Sequence, residues 1–514
     1  MDNKFKNVFS RFLQSQTKNK VYQKFLIFTV LFYSVLVVIP SLKYFPITGV
    51  GSYWLLAGNW LFFTLLSGII IFLLSINRWV FTFLVPVYIL STGGVSFYIS
   101  RYNVTINSAV IESTLYTNSF EAISQISFFL LGYVFLLIAF SALVIFLRFK
   151  IKELKVSWQN FAIVFVAVVL VFVVNTGRAR TTFQYSPFSL FAGLVDWMHT
   201  DYSLSPVRKD IDQGAVCNSD TLTVVFVVGE AMRADHVSLN GYYRPTFPLM
   251  AEENPVSFKN IHSEWSYTIK SLPHIFTRAD SVNHLPASTE KTFISIFDAC
   301  NYKSWWIGNQ DLNKFLTPIA DDCDSVRFYS YSKDFKRYDG KMLPEIKKAV
   351  NSSAPRKLIV VHQFGCHWWY PANCPPEFEK FKPVLTTKNI TRSDSANIVN
   401  SYDNVILYTD YFLSQIVDML KDKNAILIFL ADHGELLGEE DKWIHAQQTK
   451  YEENPACVLW FSGKYSSEFP GKVEAAEINK DKHFRTDFMF HTALDAGNIK
   501  SPYYTSSLSL LEKH

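Results

Sequence analysis

AILIFLADHGE, residues Ala425 to Glu435, carries an apolar run straight into Asp432, His433, Gly434 and Glu435. That order reads as a buried strand delivering a polar cluster at its C-terminal end. Open α/β sheets bind ligands at that edge. An adjacent Asp and His offer an oxygen and a nitrogen ligand suited to Zn²⁺, and the glycine lets the chain turn away. Taken alone, the triplet is more commonly a turn around a satisfied carboxylate. The reading therefore rests on what the other strand ends bring.

Working outward, TLTVVFVVGE, KLIVVHQFG and ACVLWFSG are further apolar runs of strand length, separated by helical stretches such as Ser401 to Leu420. The alternation predicts a three-layer α/β/α domain with a largely parallel sheet over residues 220–514. Parallel strands place their C-terminal ends on one edge, so Glu230, Asp432 and His433 are expected together. His362, Cys366 and His367 follow the middle run, and His445 lies in DKWIHAQ. In SEWSYTIKSLPHIF, Thr268 opens a short helix. Such a threonine is most often an N-cap, but its hydroxyl also sits where the helix dipole welcomes a phosphate. A metal touching that oxygen would make it a nucleophile.

Of the 514 residues 49% are hydrophobic, too many for an ordinary soluble enzyme, and the excess lies before about residue 176. Five stretches near 22–41, 54–75, 79–99, 125–147 and 159–175 approach the roughly 20 residues that cross a bilayer as helix. Basic residues before the first span, Arg78, and Arg148 to Lys155 mark the N-terminus and two loops as cytoplasmic. With five spans the remainder falls on the far side, the periplasm of a bacterium. We therefore expect a membrane domain over 1–176, an amphipathic interfacial linker over 177–219 and a catalytic domain over 220–514. The loop between spans three and four carries Glu112 and Glu121, as a solvated connector or as a cover over a membrane-level site. A net charge of +4 leaves no nucleic-acid footprint. All six cysteines follow residue 216, and the sequence-local pairs Cys366 with Cys374 and Cys300 with Cys323 are the expected disulfides.

GEAMRADHVSLNGYYRPTFPLM, YTIKSLPHIF, WWIGNQ, SYDNVILYTDYFLSQI and ADHGELLGEEDKWIHAQ, in this order behind the spans, resemble the bacterial phosphoethanolamine transferases that modify lipid A and lipopolysaccharide core, relatives of the mobile colistin-resistance enzymes. The resemblance implies the alkaline phosphatase and sulfatase fold, and an inner-membrane protein with its N-terminus in the cytoplasm. It implies Zn²⁺ held by Glu230, Thr268, Asp432 and His433, with room for a second ion, and Thr268 as nucleophile. It places His367, His445 and Lys314 around the phosphoryl group and Glu121 toward the ethanolamine. Ser113, eight residues before Glu121, stands where the family commonly has Asn. The implied reaction moves phosphoethanolamine from phosphatidylethanolamine to lipopolysaccharide through a phosphothreonine, releasing diacylglycerol, in a monomer. The family's cysteine pair around the nucleophile is missing, with Ser263 and His274 or their neighbours in its place. A phosphoglycerol or other head-group transferase is the nearest alternative, and a non-catalytic envelope-assembly protein the alternative of another class.

Overall fold

The computed structural model describes residues 20–117, 122–123, 126–151, 166, 183–199, 207–311, 316–329, 336–388 and 394–514. The chain divides into two compact units, one of Met1–Glu112 with Ile126–Thr200 and one of Ser113–Gln125 with Asp201–His514.

Among the described residues of the first unit four helices are long and apolar enough to cross a membrane: α1 (Lys20–Ser41), α2 (Val50–Ser75), α3 (Arg78–Tyr102) and α4 (Phe128–Lys150). The fifth expected span, 159–175, lies outside the described residues apart from Val166. Backbone groups in hydrocarbon need internal partners, and α1 shows how the sequence supplies them. Its turn at Ser34–Val38 is π-helical, which displaces carbonyls from the regular ladder. Tyr133 Oη donates to the Leu36 carbonyl and Ser96 Oγ to the Val37 carbonyl, each at 2.5 Å. At the end of α2, Arg148 donates to the carbonyls of Ser75 (2.8 Å) and Ile76 (3.2 Å). One guanidinium thus closes the carbonyl end of a neighbouring helix. Within 177–219, expected as an amphipathic interfacial linker, residues 188–199 form α5 (Phe188–His199), and Phe188 and Phe191 stack on Phe63 of α2 and Tyr88 of α3.

The second unit is built on a seven-stranded sheet of β1 (Leu222–Gly229), β2 (Val256–Phe258), β3 (Lys303–Gly308), β4 (Ser325–Phe328), β5 (Arg356–His362), β6 (Ala425–Ala431) and β7 (Cys457–Phe461). Their order is β2-β7-β6-β1-β5-β3-β4. From β6 to β4 the strands run parallel, while β7 runs antiparallel to both β6 and β2. ACVLWF is therefore a strand, as expected, but its C-terminal end points away from the shared edge. Every residue of β1, β6 and nearly all of β5 is buried, which is why these runs read as continuous and not alternating. Leu222, Val224, Phe226 and Val228 face a core shared with α6 (Thr268–Phe276), α7 (Phe293–Ala299) and, near the C-terminus, residues 488–496. Residues Leu343–Val350 pack on β5 and against the long helix Ser395–Leu420, most of which is buried.

The disulfide expectation fails. All six cysteines are free thiols, five of them buried. Cys366 lies in the turn after β5, where its N–H donates to the Glu230 carbonyl, while Cys374 Sγ donates to the carbonyls of Pro375 and Asn404. Closeness in sequence was outweighed by the different elements each thiol packs against.

Candidate metal centre

β1 and β6 are neighbours in register, Gly229 opposite Ala431, so the residues that follow them meet. Glu230 turns sharply away through Ala231, whose φ of 52° lies in the left-handed region. On its other side Gly365, φ 46°, comes so close that a Cβ there would stand 3.2 Å from the Glu230 nitrogen. Glycine is needed at that approach.

Three buried atoms converge here: Glu230 Oε1, Asp432 Oδ2 and His433 Nε2. His433 Nε2 lies 3.5 Å from Glu230 Oε1 and 3.6 Å from Asp432 Oδ2, and one ligand atom from each residue fits within a 4.8 Å cluster. None of the three has a hydrogen-bond partner in the protein. The remaining polar atoms are committed. Asp432 Oδ1 accepts from the backbone of Ala231 and His433 (3.1 and 2.9 Å). His433 Nδ1 donates to the Gly434 carbonyl at 2.7 Å, which turns Nε2 toward the carboxylates. A buried polar atom without a partner is costly; three that face one another fit a bound cation. Two carboxylates and one imidazole are also the donor set zinc accepts.

The electrostatics agree. Burial raises the Glu230 pKa, but the His433 imidazole 3.5 Å away, aided by the charges of His367 and His445, more than offsets this and holds the carboxyl below its usual range. Asp432 is pushed up by burial and by the Glu230 charge. Burial works against a charged His433, yet Asp432 and Glu230 together raise its pKa to about 10. In the protein alone the imidazolium proton balances the carboxylates, and a metal ion would take its place.

Thr268 is the first residue of α6. The cap position belongs to Tyr267, whose side chain makes no capping bond. The Thr268 hydroxyl is thereby released from helix capping and donates to Glu230 Oε2 at 3.0 Å. Gln310, just past β3, donates to the same oxygen at 2.7 Å. No role for Gln310 was read from WWIGNQ; its position at the end of a parallel strand was the available signal. Glu435 was also missed. It is fully buried, with His445 Nδ1 3.4 Å from its Oε1. The His445 ring centre lies 4.8 Å from that of His433 and 6.4 Å from that of His367, so both half-buried histidines border the cluster. Arg233, buried against Asp235 and Glu439, donates to the Glu435 carbonyl and braces this loop. Ser113 lies on a helix, Ser108–Tyr116, where its carbonyl accepts from Thr117; the expected polar connector is helical there. Lys314 and Glu121 lie outside the described residues.

The sequence profile of the Sulfatase family matches residues 222–499, more than half of the chain and all of the main sheet. The chain belongs to the sulfatase family. A second profile, Phosphoethanolamine transferase EptA/EptB, matches residues 63–189 and groups the chain within that family with the phosphoethanolamine transferases. It is 27% identical over 310 residues to the phosphoethanolamine transferase EptA of Escherichia coli K12, a match covering 56% of this chain and 55% of that protein. The fold is shared with the integral membrane lipooligosaccharide phosphoethanolamine transferase A of Neisseria meningitidis (TM-score 0.79, 22% identity, 95% of this chain and 98% of the other). It is shared over the second unit with the C-terminal periplasmic domain of Escherichia coli EptC in complex with zinc (TM-score 0.53, 23% identity, 60% and 90%).

Proposed function

We propose that this chain transfers phosphoethanolamine from phosphatidylethanolamine to a lipopolysaccharide through a phosphothreonine at Thr268, releasing diacylglycerol. The observation that carries the reading is the Thr268 hydroxyl hydrogen-bonded to Glu230 beside three buried, partnerless ligand atoms. Glu230, Asp432 and His433, with Thr268, would hold Zn²⁺, which when bound lowers the pKa of a hydroxyl and neutralises charge on phosphoryl oxygens.

In the first displacement the Thr268 oxygen bonds to phosphorus as the bond to the diacylglycerol oxygen breaks, and the hydroxyl proton, leaving along its hydrogen bond to Glu230, is passed to the diacylglycerol oxygen. In the second, an acceptor oxygen takes the phosphoryl group and Thr268 recovers a proton. Phosphoryl transfer asks mainly for positioning and charge. Gln310 and Glu230 fix the nucleophile, while His367, His445 and Lys314 serve the phosphoryl, attacking and leaving oxygens. Glu121, with Ser113, serves the ammonium. The named activities of the relatives support the donor group, and the lipooligosaccharide in one name supports a lipopolysaccharide acceptor. We place the protein in a bacterial inner membrane, N-terminus cytoplasmic and second unit periplasmic, from the basic residues flanking the apolar helices.

The test is the mass of the Thr268 peptide after incubation of the purified protein with phosphatidylethanolamine and zinc, beside Thr268→Ala. A phosphoethanolamine adduct on Thr268 with release of diacylglycerol, both absent in the variant, is expected. In a parallel incubation with phosphatidylglycerol, an adduct of phosphoglycerol mass, with none formed from phosphatidylethanolamine, would transfer the reading to that head group. Neither adduct nor diacylglycerol, with zinc shown to be bound, would overturn it.

A further inference from the structure

The turn Asp280–Pro286, directly after α6, presents Val282 at 91% and Leu285 at 70% exposure. Two apolar side chains so bare on a domain with a well-filled core call for a partner. The turn is rigidly built. Asp280 Oδ1 accepts from the N–H groups of Val282 and Asn283, each at 2.7 Å, and the Asp280 N–H donates to the Asn283 carbonyl. Thr289 then hydrogen-bonds the Leu285 carbonyl through both backbone and hydroxyl. The two apolar side chains are thus held outward by a preformed framework.

The same region receives the chain from the membrane unit. Lys209 bridges in parallel to Glu290, its N–H donating to Thr289 and its carbonyl accepting from Lys291. Two residues earlier stands Val207, 81% exposed. Only seven residues, 200–206, lie between the end of α5 and Val207, so a short stretch of chain joins this strand to the membrane unit. That helix itself exposes Phe191, Val195 and Met198, spaced on one face, as interfacial helices do. Apolar tips next to a short tether from a membrane-spanning unit match one occupant, the interfacial layer of the bilayer.

We propose that the Asp280–Pro286 turn, together with Val207, is a lipid-contacting finger that seats the second unit on the membrane surface. Its root is also on the page. His284 Nδ1 lies 3.0 Å from His274 Nε2, and His274 Nδ1 donates to the Lys270 carbonyl inside α6, with Trp265 packed against both imidazoles. The finger is therefore joined through His284 to the helix that begins at Thr268. The proposal needs a membrane-bound chain but not the transfer chemistry above, so the two stand or fall separately.

The test uses the full-length protein in lipid nanodiscs, with nitroxide labels placed singly at Val282→Cys and Leu285→Cys. Met198→Cys serves as the lipid reference, Lys348→Cys as the water reference, and the unsubstituted chain as a blank for its own thiols. Collision with oxygen and with a water-soluble nickel chelate is read by power saturation. The expected result is that labels at 282 and 285 collide more with oxygen than with nickel, like 198 and unlike 348. Nickel-dominated collisions at both positions, with 198 lipid-like in the same preparation, would overturn the proposal.

Discussion

Glu230 answers to four neighbours at once: Oε2 accepts from Thr268 and Gln310, Oε1 faces His433 with no hydrogen bond, and its backbone carbonyl holds Cys366. Replacing it by glutamine keeps the shape and removes the charge. Zinc affinity, read by chelator competition, is expected to fall for Glu230→Gln by at least about 100-fold, since even residues that only support ligands reach that size. A second prediction concerns a histidine away from the centre. His491 accepts from the Thr505 N–H, and burial, with Arg278 adding to it, pushes its pKa down to about 4. The folded state refuses a proton that the unfolded chain accepts below about 6.5, so this stability is full above that pH and is lost as pH falls towards 4. His491→Asn should remove about 2–3 kcal/mol of the acid loss at pH 4, checked by denaturant midpoints of the second unit's transition at pH 7 and pH 4. At this scale the sequence was legible where chemistry followed an apolar run, as at Asp432 and His433. It was silent on Gln310, whose part depends on β3 lying beside β5, and it left Thr268 between cap and nucleophile, where only the fold shows Tyr267 taking the cap.

At the scale of elements, the turn after β6 is the tightest joint. A Cβ on Gly434 would stand 2.2 Å from the Tyr451 carbonyl and 3.0 Å from Arg233 Cγ. Backbone cannot yield as a side-chain tip can, so Gly434→Ala should push apart the 432–435 and 451–452 segments. A loss of about 1–3 kcal/mol, typical of overpacking, is expected with weaker zinc binding; unchanged melting temperature and affinity would contradict it. Here the sequence showed strands by their apolar runs but not their direction. CVLWF looks no different from its parallel neighbours, because direction is set by the connections around β7 and not by composition. Arg148 marked a cytoplasmic loop in the sequence, and the fold gives it a second duty, closing the end of α2. Arg148→Gln should lower the thermal stability of the first unit in detergent while leaving zinc binding by the second unaltered.

For the whole molecule, the division into two compact units carries a prediction of its own. Residues 207–514 produced alone should fold and bind zinc, since the core and every described ligand candidate lie within them, but should process phosphatidylethanolamine in vesicles far more slowly than the full chain. Equal rates would mean the membrane unit is no part of substrate delivery. The order of the halves was plain from hydropathy, whereas the thiol pairing was not, because six cysteines leave many arrangements and the fold uses none of them. The meeting of β1 with β6 also sets a timetable. Glu230 leaves the ribosome some two hundred residues ahead of Asp432 and His433, and at about 5–20 residues per second that is a wait of roughly 10–40 s. For that interval the carboxylate lacks His433, and β1 has only β5 to pair with once residues 356–362 have emerged. A chain interrupted before β6 would carry the Thr268 helix and one acidic ligand candidate, without the Asp432 and His433 that complete the cluster. On the proposed zinc site, metal loading is thereby reserved for chains whose synthesis has passed β6.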